Sequence, residues 1–159
     1  MKVKWYSDEN MAIFFSDTPK PIIRYPYPNI KDSKLEEIEE KPFLNTQEFK
    51  IALFDLNKSK RYGFTAPKDY TWDGATIPRF AWSIVGAKTD PVFLIPSLIH
   101  DLLCENHHFV NGDRYFSTCV FERLLYVSQV PAWKRWFMKH AVDNFQKTQN
   151  WEEGIKCLK

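Results

Sequence analysis

The period of apolar and polar positions changes near residue 90. Before it, Phe49 to Leu56 (FKIALFDL) alternates with a period of two, which predicts a half-buried strand. Asn57-Lys58-Ser59-Lys60 reads as a turn, and Arg61 to Ala66 (RYGFTA) returns as the second strand of a hairpin. Val3–Tyr6 and Met11–Phe15 read as shorter strands. Pro19, Pro21, Pro26 and Pro28 each remove a backbone donor and push the preceding residue towards extended geometry, predicting an extended arm through PKPIIRYPYP. KDSKLEEIEEKP alternates in charge and is either a short solvated helix or a loop.

After residue 90 the period becomes helical. Pro91 to Asn106 (PVFLIPSLIHDLLCEN) is apolar almost throughout, and a helix is expected from Ser97 with Ser97 as N-cap. HHFVNGD is a loop broken at Asn111-Gly112. A second helix is expected from about Asp113 to Ser128, with Phe116, Val120, Leu124 and Val127 on its core face. A third begins near Pro131, a residue suited to the first helical position. Its apolar stripe reads Trp133, Phe137, Ala141 and Phe145, with Lys134, Arg135 and Lys139 off it. The pattern predicts an α+β fold: a small antiparallel β-rich N-terminal half packed against three C-terminal α-helices. We expect one domain over 1–159, with 1–48 as a β/extended arm, 49–145 as the core and 146–159 as a C-terminal tail.

Composition narrows the function classes. The chain of 159 residues is 44% hydrophobic and 16% aromatic, enough for a proper core. With 22 basic and 20 acidic residues its formal net charge is +2, which argues against a nucleic-acid coat protein. Cys104, Cys119 and Cys157 form no CxxC pair and no zinc spacing, so free thiols in a reducing compartment are expected. MKVKWYSDENMAIFF lacks the apolar run of a secretory signal, and no stretch is long and apolar enough to span a bilayer.

The candidate chemistry centres on His100-Asp101, an adjacent imidazole and carboxylate within an apolar segment. Burying a charge costs several kcal/mol unless it is paired or bound. His100 can act as a general base, Asp101 can ligate a hard cation, and together they can bind a transition metal. The alternative is a buried histidine held by its neighbour's carboxylate. In WDGATIPRFAW (Trp72–Trp82), Asp73-Gly74 signals a turn. That turn is either packed by its aromatics or presents Asp73 and the Thr76 hydroxyl to a pocket. Asp113 is either a helix N-cap or a further acid of the same site. The expected catalytic set is His100, Asp101, Asp73 and Asp113, with Trp72, Thr76 and Arg79 at the substrate. Asp101 and Asp73 are the candidate ligands for a divalent cation, calcium or magnesium. His107-His108 reads as a solvated loop pair and His140 as structural. Residues 131–147 interleave Trp, Phe and Met with Lys134, Arg135, Lys139 and Lys147. This suits a membrane-surface helix, a nucleic-acid platform, or a core helix with a basic outer face. A Gly-rich phosphate loop, a GxSxG elbow and an HExxH helix are all missing, which weakens nucleotide-hydrolase, α/β-hydrolase and zincin readings.

Three pieces, WDGATIPRFAW, LIHDLLCEN and NGDRYFSTCVFERLL, together resemble the phage and prophage family known as domain of unknown function 1353. The resemblance covers roughly Phe49 to Phe145. Asp73, Gly74, Ala75, Ile77, Pro78 and Arg79 match its first motif, with Thr76 in place of serine. His100-Asp101 match the second motif and Asp113 the third. Cys104 stands where the family usually carries an aromatic residue. The resemblance implies a phage or prophage origin, with the virion or the bacterial host cytoplasm as location, and confers no activity. The His-Asp helix is more loosely similar to that of secreted calcium-dependent phospholipases. That similarity casts His100 as base, Asp101 as calcium ligand and Asp113 or Asp73 as the residue orienting the imidazole. Their glycine-rich calcium loop and disulfides have no counterpart here. Two functions are therefore expected. One is a non-enzymatic phage protein, a virion component or host-directed binding module, that docks on a phage or host protein through the aromatic, Pro-rich N-terminal arm. The other is a hydrolase with His100 as general base.

Overall fold

A computed structural model describes residues 3–24, 32–74 and 90–147. Two antiparallel sheets occupy the first half. The larger has four strands in the order β1 (Val3–Ser7), β2 (Met11–Phe15), β5 (Phe49–Asp55), β6 (Lys60–Ala66). The smaller has three: β3 (Pro21–Ile23), β4 (Phe43–Asn45) and β7 (Thr71–Trp72), in that order. The charged segment before β4 is a helix, α1 (Asp32–Glu40).

The β5–β6 strands pair from Phe49↔Ala66 to Asp55↔Lys60, so the expected hairpin forms, with Lys60 in its second strand. Alternation puts Phe49, Ile51, Leu53, Tyr62, Phe64 and Ala66 on the buried face, because successive strand side chains point to opposite sides. β2 pairs with β5 along its whole length and contributes Ile13 and Phe15 to the same core. The proline-rich stretch supplies β3, which pairs with β4; residues 25–31 lie outside the described residues.

Among the described residues the second half holds three α-helices: α2 (Leu94–Glu105), α3 (Arg114–Val127) and α4 (Ala132–Lys147). The fold is thus α+β, as the change of period indicates. α2 starts earlier than the sequence suggests. Pro96 falls in its first turn, where a missing N–H costs nothing. Ser97 is therefore inside the helix, not at its cap: its hydroxyl donates to the Leu94 carbonyl and accepts from Trp72 Nε1 at 2.9 Å. The preceding turn (Pro91–Phe93) is capped by Asp90, which accepts from the Val92 N–H.

From Pro96 to Leu103 every residue of α2 is buried. A helix apolar all round belongs in the interior, and α2 lies between two apolar clusters. Leu98, Ile99, Leu102 and Leu103 join the sheet side chains, with Phe116, Val120 and Leu124 of α3. Phe93 joins the second cluster with Phe121, Leu125, Val130, Met138 and Val142, which holds α4 on α3. Each such large side chain contributes about 1.5–3 kcal/mol by leaving water.

The stripe expected for α4 is corrected here. Its buried positions are Met138, Val142 and Gln146, while Trp133 and Phe145 are exposed and Phe137 and Ala141 half-buried. Both sets recur at helical spacing, and α4 docks on α3 through the set containing Gln146. A buried glutamine gives a sequence reader no reason to choose that side.

Candidate functional site

His100 and Asp101 are neighbours on α2, about 100° apart around its axis, and they face different surroundings. His100 is 3% exposed. Its ring lies against Phe121 with centroids 4.9 Å apart. The Thr118 hydroxyl, itself buried, donates to Gln146 Oε1 at 2.9 Å. That bond fixes the amide, so the Gln146 NH2 group donates to His100 Nε2 and to Cys104 Sγ, the latter at 3.3 Å. Nε2 therefore accepts, and the ring proton belongs on Nδ1, an assignment made from the network. Asp101 Oδ1 is 3.8 Å from Nδ1, and Cys104 Sγ lies 3.6–3.7 Å from the ring nitrogens. One chain of contacts thus ties α2, α3 and α4 together through His100.

Asp101 looks the other way, towards the end of β7. Its carboxyl shares a hydrogen bond with that of Asp73, which follows β7 and is exposed. Burial, first of all, pushes the Asp101 carboxyl well above the ordinary carboxylate range. The bond with Asp73, the Asp73 charge and the Glu105 charge push the same way, and Lys41 opposes them weakly. Protonation of Asp101 is thus favoured over that of a free carboxyl, and the hydrogen bond joins the two acids. Tyr70 borders the cluster. Its hydroxyl is buried beside Glu105, and burial, followed by the charges of Glu105 and Asp101 and the hydrogen bond to Glu105, raises its titration far above that of a free phenol.

The turn that presents Asp73 is fixed from both sides. Trp72 is 0% exposed and stacks on Phe43 with centroids 5.5 Å apart, while its Nε1–H holds Ser97 of α2. Gly74 has φ +97°, a left-handed value, and a Cβ there would come within 2.6 Å of Phe43 Cε2. Trp72, expected at a substrate, is thus a buried anchor; Thr76 and Arg79 lie outside the described residues.

The structure brings Asp73, Asp101 and His100 together and engages Asp113 elsewhere. Asp113 caps α3: its Oδ1 accepts from the Phe116 N–H at 3.0 Å, and its Oδ2 pairs with Lys58 of the β5–β6 turn. These two residues line a cleft of about 340 Å³ with Asp55, Cys119, Arg123 and Lys139. Capping, the plainer of the two readings of Asp113, accounts for the Phe116 bond, and the Lys58 pair ties the cap to the β5–β6 turn.

Sequence reasoning missed Gln146 and Thr118, the polar partners of His100. The spacing did signal Cys104, four residues after His100 and on its face. Among the described residues no group of three or more His, Cys, Asp or Glu side chains is gathered to hold a metal ion. Two facing carboxyls alone are a weak cation site. Cys104 and Cys119 are free and half-buried, and burial raises the Cys119 thiol; Cys157 lies outside the described residues. His108 is exposed against Phe109, and His140 is exposed with Nδ1 donating to the Trp136 carbonyl. Among the described residues no helix is long and apolar enough to cross a membrane.

Comparison with known proteins agrees with the motif pattern. The chain is 32% identical over 101 residues to the "Uncharacterized protein y4jT" of Sinorhizobium fredii (strain NBRC 101917 / NGR234). That match takes in 58% of this chain but only 29% of the relative, so the chain spans well under half of that protein's length. No solved structure matches it significantly. The pattern of the family described as "Protein of unknown function (DUF1353)" matches residues 52–142, which include β7 with Asp73, all of α2 and the Asp113 cap, and the chain belongs to that family.

Proposed function

We propose that the chain is a non-enzymatic binding protein of phage or prophage origin, a virion component or host-directed module. In this reading the His100 network locks the helices and performs no turnover. The observation that carries the reading is the burial of His100, with Nε2 occupied by the Gln146 amide and the ring closed over by Phe121. A general base must reach the proton it removes, and this imidazole is spent on neighbours. The phage origin rests on the three motifs that carry the family resemblance.

The experiment compares wild type with His100→Gln and Gln146→Leu. The expected result is a lowered melting temperature for both variants, and no loss of any hydrolysis of ester, amide or phosphodiester substrates that wild type displays. A folded His100→Gln protein that loses a measurable wild-type hydrolysis overturns the reading. Mass spectrometry of particles induced from a host carrying the gene then separates a packaged protein from a host-directed one.

A hydrolase reading takes another form, favoured by the hydrogen bond between Asp73 and Asp101 and the raised Asp101 carboxyl. A carboxyl raised by burial and hydrogen-bonded to a second acid is the arrangement of a general acid. Here the acids, with Asp73 exposed, do the chemistry, and His100 positions Asp101. Asp101→Asn abolishing an activity that His100→Gln retains is the result this version requires.

A further inference from the structure

The outer face of α4 carries a feature that the His100 network does not explain. Trp133 and Trp136 are 55% and 62% exposed, and with His140 they recur at three- and four-residue spacing, so they share one face. The Trp136 and His140 rings are 4.2 Å apart. Exposed Tyr115 and Tyr126 of α3 add rings beside α4, against Lys139 and Arg135. Monomeric domains rarely leave two neighbouring indoles this bare without a partner.

Cations are laid among these rings. Lys134 Nζ is 5.5 Å from the Trp133 centroid, Lys139 Nζ is 5.5 Å from that of Tyr115, and Arg135 Cζ is 5.0 Å from that of Tyr126. α4 carries Lys134, Arg135, Lys139 and Lys147 against the single acid Asp143. Asp143 is held by Arg114 and Lys147, and Arg135 is held by Glu122. Among the described residues no carboxylate pairs with Lys134 or Lys139. The face is therefore aromatic and positive.

We propose that this face docks on an anionic lipid bilayer, with α4 lying along the headgroup layer. Indoles favour that depth because one end is apolar and the N–H remains wet. Lys134 over the Trp133 ring and Lys139 over Tyr115, flanking the indoles, meet anionic headgroups there. The charge disfavours a second copy of the same positive face. The rings stand on a convex helix and do not line a groove, as stacking on a nucleic acid requires. This contact stands apart from the function proposed for the His100 network, and its test uses none of that network's residues.

The test mixes the full chain with vesicles of equal parts phosphatidylglycerol and phosphatidylcholine, or of phosphatidylcholine alone, and measures co-flotation. Binding to the anionic vesicles is expected, falling on the order of tenfold on phosphatidylcholine alone or at high salt. Trp133→Ser with Trp136→Ser should lower it on the order of tenfold, and Lys134→Glu with Lys139→Glu at least as far. All four side chains are at least partly exposed, and circular dichroism shows whether each variant folds. Absence of co-flotation overturns the proposal. So does co-flotation that both folded double variants retain, binding to a single-stranded oligonucleotide in preference to vesicles, or self-association through this face in sedimentation.

Discussion

The two sides of α2 hold adjacent residues in opposite regimes. On the His100 side a hydroxyl, an amide, an imidazole and a thiol satisfy one another between α2, α3 and α4 without needing a charge. On the Asp101 side the carboxyls of Asp101 and Asp73 meet, the charge of Glu105 acts on them, and burial with that like charge raises Asp101. One step along a helix, about 100° of rotation, separates a side chain that fixes the fold from one whose state follows the solvent. A dipeptide motif therefore does not imply a shared task.

This contrast can be broken experimentally, beginning with the largest effect. His100→Ala should cost about 3–4 kcal/mol in urea unfolding, because it opens a cavity beside Phe121 and strands the Gln146 amide. A cost below about 1 kcal/mol would mean that the network does not hold the helices. Gly74→Ala should cost about 2–3 kcal/mol, since its Cβ meets the buried Phe43 ring and its φ is left-handed. It should also bring the Asp101 titration, followed by carboxyl NMR, back towards the ordinary range by moving Asp73 away. Asp113→Ala should cost about 1 kcal/mol as a lost helix cap and leave the Asp101 titration where it was. A large movement would return Asp113 to the site.

The smallest effect depends on pH. A folded carboxyl that binds its proton more tightly than the unfolded chain stabilises the fold least where the unfolded group has ionised. Stability contributed by Asp101 should therefore fall as pH rises from about 4 through its raised folded value. Asp73→Asn removes the like charge, so unfolding measured from about pH 4 to 8 should show a shallower fall, with the variant gaining on wild type towards pH 8. Equal slopes for the two proteins would show that the acids are not coupled.

Much of this was legible in the chain. β2 and β5 followed from alternation, α3 from Asp113 and its apolar spacing, and the meeting of Asp73 with Asp101 from the motif pattern. What was not legible has physical reasons. Ser97 reads as a cap because a hydroxyl before an apolar run usually is one; only the fold shows the Trp72 indole satisfying it. Gln146 carries no sequence mark of burial, since its place depends on Thr118 and His100 from two other helices. α4 offers two apolar faces, and the choice between them is made by the shape of α3.

β7 joins β4 through only two residue pairs, Phe43↔Trp72 and Leu44↔Thr71. The indole peg in Ser97 is what seats so short a ladder against α2. Brief local opening of that ladder, at far less cost than global unfolding, would swing Asp73 off Asp101 and admit water between them. The coupling of the two acids therefore hangs on a ladder of two backbone pairs and one indole bond.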